Sequence, residues 1–442
     1  MANKAVMKAA DSPESLVSKN FQELQSGGKL NPVLSFLNSA AFERFLSMGY
    51  PRRANELFSF VNTRKLTSSP FACRYGPVTE PDADTARKNT VKGCEGSVMV
   101  IVDGKFNEKL SNMDAVKGSV VIKQLEESVS SGWVRQLIEE SLNEEKDAFA
   151  LLNSAFTAGG VVVDIADSSC IDAPILILHL STAANGTNVM TSPRVVVRVG
   201  SGAKAGLLVK YAGLGGNFVN SFTDIVVEEN AELNYSNIQL EPDEGRRFSR
   251  TRITIKKDGK FFGANGSSGG RLVRDSYEAV LLGEGAELGL NSVAVLRNDE
   301  QSHHFVRVRH EAPRCVSNQR FRNILKDNAR ASINTTVKAA PGAQETISTQ
   351  MINNLMLSPD ARADNKPNLM IFADDVQCTH GATVAQLNDN ELLYLRSRGL
   401  PEEFARSVLT SSFARSIIDT VNYTPAAREM AEALLGKLEE KA

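Results

Sequence analysis

Thr251–Gly263 reads TRITIKKDGKFFG: an alternating run with Ile253 and Ile255, a turn at Asp258-Gly259, and the start of a second apolar run. Alternation of this kind marks a half-buried strand, and Asp-Gly marks a tight turn. The four residues Asp258-Gly259-Lys260-Phe261 form a phrase: a turn residue, a tiny residue, a long polar residue and an apolar one. It recurs as Gly202-Ala203-Lys204-Ala205, Asn230-Ala231-Glu232-Leu233, Gly285-Ala286-Glu287-Leu288, Asn328-Ala329-Arg330-Ala331 and Asp360-Ala361-Arg362-Ala363. The tiny residues are 28, 28, 27, 43 and 32 positions apart, and the two longer steps read as loop insertions.

A period in this range signals a stacked repeat. No helical pattern lies between the phrases, so the unit is a coil of short strands that buries its apolar side only against its neighbours. The spacing predicts a mainly β body, a parallel β-helix, over residues 159–385. Antiparallel sandwiches share the turn-delimited strands, and the pattern alone leaves both open.

Outside that body the period changes. NPVLSFLNSAAFERFLSMGY carries Val33, Leu34, Leu37, Phe42, Phe45 and Leu46 at helical spacing, with Asn31-Pro32 as cap and first turn. A second helix is expected over Trp133–Phe156, so residues 1–158 read as mostly helical. Residues 386–442 read as helical again. Asp389 or Asn390 is the expected cap, Gly399-Leu400-Pro401 divides two helices, and Thr424-Pro425 opens a last one. The glycine-rich Gly213-Leu214-Gly215-Gly216 and Gly263-Ala264-Asn265-Gly266 lack the strand, spacing and helix of a dinucleotide site and read as turns.

With 50 Lys+Arg against 52 Asp+Glu in 442 residues, the chain has no electrostatic footprint for nucleic acid. No run approaches the ~18 apolar residues of a membrane span. The opening MANKAVMKAADSPESLVSKNF fits neither a secretory signal nor a transit peptide, and the reading is cytoplasmic. Five scattered cysteines without a C-x-x-C pair read as free thiols. Walker A, H-E-x-x-H and G-x-S-x-G strings are absent, so no enzymatic signature stands out.

Four of the five histidines fall late in the predicted coil. In SHHFVRVRH an extended chain sends His304, Val306, Val308 and His310 to one side and His303 to the other; His304 and His310 stand ~20 Å apart, too far to share a metal. The stretch Asp374–Thr383, DDVQCTHGAT, differs. Cys378 and His380 are two apart, so on a strand they share a face with about 7 Å between alpha carbons, close enough for one iron-sized ion. A buried cysteine and a hydrogen-bonded histidine at a strand end would look the same in sequence.

In order along the chain, SHHFVRVRHEAP, SNQRFRNIL, NNLMLSPDARADNKPNLMIFADDVQCTHGATVAQL and LLYLRSRGLPEEFARSVL resemble the SufB/SufD scaffold family of the SUF iron-sulfur cluster assembly system. The resemblance is close over about residues 300–421 and loose over most of the rest, including GYPRRANELF. It implies a right-handed parallel β-helix flanked by helical regions. It also implies a scaffold that is not an enzyme, holds no intrinsic cofactor, and pairs with a paralogue. A transient cluster or iron then forms at the interface between the paralogues, and a SufC-like ABC ATPase binds the C-terminal helical region. On that implication Leu392, Leu395, Arg398, Phe404 and Phe413 are the expected ATPase contacts.

Within the family the chain resembles SufD more than SufB, which would be its partner. Residues 351–356, MINNLM, lack the cysteine that SufB carries there, and DDVQCTHGAT is the SufD form. The resemblance places the interface histidine on His380, with Cys378 as a second candidate. Asp374 and Asp375 are expected to end the strand or to hold His380 through its second nitrogen rather than bind iron. Few ligands shared across a subunit boundary suit a scaffold that must release what it builds. The competing readings are a homomeric β-helix scaffold and a β-helix carbohydrate-active enzyme, the latter disfavoured by 6% aromatic residues and a single Trp.

Overall fold

The computed structural model describes residues 12–439 apart from 53, 68–70, 131, 184–188, 215–216, 241 and 243. One corner of the molecule is set by six residues, Gly202, Asn230, Asp258, Gly285, Arg314 and Glu345, each with φ between 51° and 69°. That left-handed conformation costs non-glycine residues about 1–2 kcal/mol, and it is repaid by a ladder. Each of the six donates its N–H to a carbonyl of the next turn, those of Glu229, Lys257, Glu284, Pro313, Gln344 and Asp375, at 2.7–3.2 Å. The tiny residue that follows is small because it fills the inside of the corner: Ala203, Ala231, Ala286 and Cys315 are fully buried.

The result is a β-solenoid of about seven turns built from two parallel sheets. One sheet runs through Val161–Ile165, Arg194–Val199, Asn217–Val227, Arg246–Ile255, Leu272–Leu281, Gln301–His310, Arg330–Ala339 and Arg362–Ile371. The other runs through Ile175–Ser181, Lys204–Gly213, Glu232–Gln239, Lys260–Ser268, Glu287–Leu296, Val316–Leu325, Thr346–Met356 and Val376–Ala385. Strands in register along each sheet are parallel, which removes the antiparallel sandwich. Both sheets begin inside the stretch read as mostly helical: Val98–Val102 joins the second, and Val120–Gln124 pairs antiparallel with Val161–Ile165 in the first.

The 43-residue step in the repeat is not an insertion. Ala203, Ala231, Gly259 and Ala286 precede strands of the second sheet, whereas Ala329 and Ala361 precede Arg330–Ala339 and Arg362–Ile371 of the first. The phrase has moved to the opposite corner. The original corner continues at Arg314-Cys315-Val316, where the geometry persists without the sequence phrase. Likewise Gly263-Ala264-Asn265-Gly266 is no turn but lies within strand Lys260–Ser268. A Cβ on Gly266 would meet Met430 Cγ at 2.6 Å, so the glycine is a notch for a helix. Gly213 ends strand Lys204–Gly213, and residues 215–216 lie outside the described residues.

The interior is half aliphatic and half polar. Ile225, Ile253, Leu281, Leu233, Leu288 and Val308 stack in one core cluster. Toward the other side of the rungs, Arg247 and Asp275, both wholly buried, pair at 3.0 Å, and Gln239 donates to Asp275 at 2.7 Å. Burial alone would raise the Asp275 carboxyl, but Arg247 and these hydrogen bonds bring it down to about 2. A register slip of one residue would unpair these charges inside the coil, so the pair also fixes register.

Helices cover both outer faces. Ser35–Met48, entered through the Asn31 cap and ended at Gly49, packs with Ala148–Phe156 on the first sheet, where Phe149 meets Phe218 and Phe248. The single helix expected over Trp133–Phe156 is two, Gly132–Glu144 and Ala148–Phe156. Asp147 caps the second by accepting from Phe149 N at 2.9 Å, and Glu145 accepts from Lys146 and Asp147 N. The break turns both acids onto the sheet, where Asp147 pairs with Arg274 at 2.6 Å and Glu145 with Arg250 at 2.9 Å, all four buried.

On the second sheet lie Glu402–Ile418 and Thr424–Glu439. Tyr423 sits over Gly206, Met430 over Gly266, Glu429 pairs with Lys210, and Lys437 with Glu300 at 2.6 Å. The preceding helix Asp389–Ser397 is capped by Asn388, one residue before the expected position, which accepts from Asn390 N at 2.9 Å.

Candidate functional site

The C-terminal end of the solenoid is open. Arg362–Ile371 and Val376–Ala385 are the terminal strands of the two sheets, so each presents a free edge of backbone donors and acceptors. Around these edges Met370, Phe372 and Val384 are 46%, 55% and 55% exposed.

Cys378 and His380 both belong to Val376–Ala385. Its neighbour Thr346–Met356 alternates as far as Asn354, with Ser348, Gln350 and Ile352 buried inside the coil and Ile347 and Met351 exposed outside. Parallel register places Cys378 beside Ser348 and His380 beside Gln350. The two candidate ligands therefore continue inward-facing columns and are the last members of them, one half-buried and the other exposed. Burial raises the Cys378 thiol, and the Ser348 backbone N–H partly offsets this.

Beneath them the columns are polar. Ser348 Oγ shares a hydrogen bond with Ser317 Oγ at 2.9 Å, and Ser317 Oγ with His310 Nε2 at 2.9 Å. Gln350 stacks on Gln319, whose Oε1 accepts from Thr335 at 2.6 Å. Sequence reading missed Ser348 and Gln350, because only the register of the two strands sets each of them beside a candidate ligand.

Asp374 and Asp375 sit in the turn before the strand. Asp375 completes the corner ladder: its carbonyl accepts from Glu345 N at 2.7 Å and its N–H donates to Gln344 Oε1 at 3.0 Å. Among the described residues neither carboxylate bonds to His380.

The other late histidines lie elsewhere. His304 and His310 are interior and His303 is on the outer side of the same strand, where its Nδ1 meets Ser332 Oγ at 2.7 Å; all three are buried. Burial pushes His303 down to about 3 and His310 to about 4, so both imidazoles are neutral. Among the described residues no three His, Cys, Asp or Glu side chains converge on a point that could hold a metal ion. Cys378 and His380 therefore stand as a pair, without a third such side chain among the described residues.

The helices beyond the open end carry the expected partner contacts. Leu392 is buried and Leu395 half-buried; Arg398 stacks over Tyr394 at 5.3 Å. Phe413 lies under the Arg322 guanidinium at 4.5 Å, and its carbonyl accepts from Arg322 at 3.0 Å. Phe404 is 58% exposed, joined on the free faces by Leu393 at 63%, Tyr394 at 58% and Val408. The helical periodicity that picks out Leu392 and Leu395 finds the packed side; the exposed side is its complement.

Comparison with known proteins bears on this geometry. A family model described as the SufBD core domain of SUF system FeS cluster assembly matches residues 181–413, and one for the SufBD protein N-terminal region matches residues 15–177. The chain is 27% identical to the iron-sulfur cluster assembly protein SufD of Escherichia coli over 86% of this chain and 87% of that protein. It is 26% identical to a SufBD family iron-sulfur cluster assembly protein of Synechocystis over 92% of each, and 25% identical to a chloroplastic protein of Arabidopsis thaliana over 87% of this chain and 82% of the other. No helix among the described residues is long and apolar enough to cross a membrane.

Proposed function

The chain belongs to the SufBD family of SUF-system iron-sulfur cluster assembly proteins, and on that premise we propose that it is the SufD-like subunit of a cytoplasmic scaffold, not an enzyme in its own right. It pairs with a SufB-like paralogue through the open end of its solenoid and carries a SufC-like ABC ATPase on its C-terminal helices. Iron and sulfide are cargo, held transiently between the two paralogues with His380 and Cys378 on this side.

The observation that carries this reading is the position of the two candidate ligands: they end the inward columns at the C-terminal end of the solenoid, where the last strand of each sheet has a free edge. A paralogue with a like end extends both sheets by strand addition, which supplies affinity through backbone hydrogen bonds. It also covers the apolar rim of Met370, Phe372 and Val384 and can bring further ligands to a site that this chain leaves incomplete. Two ligands from one side, one of them an imidazole, bind a nascent cluster less firmly than a pocket of four thiolates and so favour release.

The energy source lies outside the chain, which has no Walker A string. The exposed Leu393, Tyr394, Phe404 and Val408 are the surface for the ATPase, and the packing of Glu402–Ile418 against Thr424–Glu439, itself anchored at Gly206, Gly266, Lys210 and Glu300, ties that surface to the sheet ending at His380.

The test is anaerobic purification of the tagged protein from its own cells with intact-mass analysis of what accompanies it. An ABC ATPase together with a cysteine-bearing paralogue is the expected result, and His380→Ala then abolishes cluster assembly by that complex. Recovery of the chain alone, or unimpaired assembly with His380→Ala, overturns the reading.

A further inference from the structure

Below His380 lies a buried acceptor with nothing to accept. Gln350 is wholly buried, its Nε2 donates to the Asn368 carbonyl at 3.3 Å, and its Oε1 has no partner among the described residues. The bond to Asn368 settles which end of the amide is oxygen. An orphaned acceptor in a dry interior is costly, and one that persists calls for a partner. His380 is the next residue in the column, one strand spacing of about 4.8 Å away on the same face, with a ring that is exposed and makes no hydrogen bond among the described residues.

We propose that Gln350 is the positioning residue for His380: its Oε1 accepts the imidazole N–H when the ring turns inward over the end of the solenoid, fixing one tautomer and aiming the other nitrogen out across the interface. The inference rests on the reading of His380 as an iron contact and names what orients it. Histidines that bind metal nearly always donate their second N–H to a carboxylate, a carbonyl or water. Among the described residues neither the Asp374 nor the Asp375 carboxylate bonds to the ring, and the backbone of Asp375 is committed to the corner ladder.

The support runs two turns deep. Gln319, one turn below Gln350, has an Nε2 with no partner among the described residues. A carbonyl oxygen has two lone pairs, so Gln350 Oε1 can take Gln319 from below and His380 from above. Thr335 holds the far end of Gln319 at 2.6 Å. In the adjacent column Ser348, Ser317 and His310 form a bonded series ending beneath Cys378. A polar platform thus replaces the aliphatic stack where the two candidate ligands stand.

The test is nitrogen NMR of the histidine rings in the iron-free full-length chain, with the His380 signals assigned from their loss in His380→Ala. The pH is held well above the ordinary imidazole range, so that all rings are neutral. Wild type is expected to show a single His380 tautomer, Gln350→Leu the mixture of a free imidazole, and Gln350→Glu, which keeps an acceptor, the single form again. Ferrous iron affinity of the complex with its paralogue falls about 10–100-fold in Gln350→Leu and recovers in Gln350→Glu. Unchanged signals from buried His303, His304 and His310 show that the coil is intact, and Gln350→Met replaces the leucine variant if it is not. A His380 tautomer that is the same in wild type and in Gln350→Leu overturns the proposal. If the tautomer depends on Gln350 but His380→Ala still binds iron normally, the positioning stands and the ligand reading falls.

Discussion

Tyr423 lies directly on Gly206, so that a Cβ added to the glycine would overlap the ring. The contact seats the turn that leads into the last helix on the second sheet. Replacing Gly206 with valine is expected to lower stability by about 1–3 kcal/mol, the usual cost of overpacking. It should also speed amide exchange in residues 402–439 while leaving the first sheet protected. Urea unfolding and hydrogen exchange by mass spectrometry read the two effects separately.

The Lys210–Glu429 pair makes a cleaner case, because both groups can be reversed. Lys210 is buried and Glu429 mostly so. Lys210→Glu sets two carboxylates together and is expected to cost about 3 kcal/mol, as breaking a buried pair does. Adding Glu429→Lys restores opposite charges and most of the loss. A double variant no more stable than the single one would show that the pair is not what fixes this helix.

Acid should act in two stages. His179, His303 and His310 are held by burial at about 3, 3 and 4, against 6.5 in the unfolded chain. The native state refuses these protons and the unfolded state takes them, so stability is full above about 6.5 and falls as pH drops from there to about 4 for His310 and about 3 for His179 and His303. Asp275, at about 2 against 3.8, contributes stability above 3.8 that is lost as pH falls toward 2. His310→Gln should reduce the slope of stability between these limits by up to about 1.4 kcal/mol per pH unit, one proton's worth. Urea midpoints measured across pH decide it.

Phe404→Glu combined with Leu393→Glu should remove the ATPase from the purified complex and leave the fold alone. Both side chains are more than half exposed, and surface changes of this kind usually stay within about 0.5 kcal/mol. An anchor lost from the centre of an interface costs more than about 1–2 kcal/mol of affinity. Retention of the ATPase at wild-type stoichiometry would place its docking surface elsewhere.

The coil was legible in the sequence because its corner is made by local chemistry: a residue tolerant of positive φ, then one small enough for the inside of the bend. The repeat misled where that chemistry changed hands. Arg314 and Glu345 adopt the same backbone as Asn230 and Asp258 without looking like turn residues, while Asn328-Ala329 repeats the phrase at the opposite corner. The break at Glu145–Asp147 was hidden for another reason: the apolar spacing runs through it, and only buried Arg250 and Arg274, more than 100 residues later, explain why two acids stop a helix. Cys378 and His380 stood out by spacing. Gln350 did not, since an amide in a strand carries no signal until register sets it beside His380.

The corner ladder has a consequence for how such a chain can change length. Each corner bond joins positions one circuit apart, so adding or removing a circuit of about 28 residues restores the ladder, as the spacing of Ala203, Ala231 and Gly259 shows. Half a circuit would exchange the two faces, presenting the wrong wall to each set of helices and turning the terminal histidine to the opposite side of the mouth. Size in this architecture is quantised, and the position of the mouth relative to the helical clasp can be tuned only in whole steps.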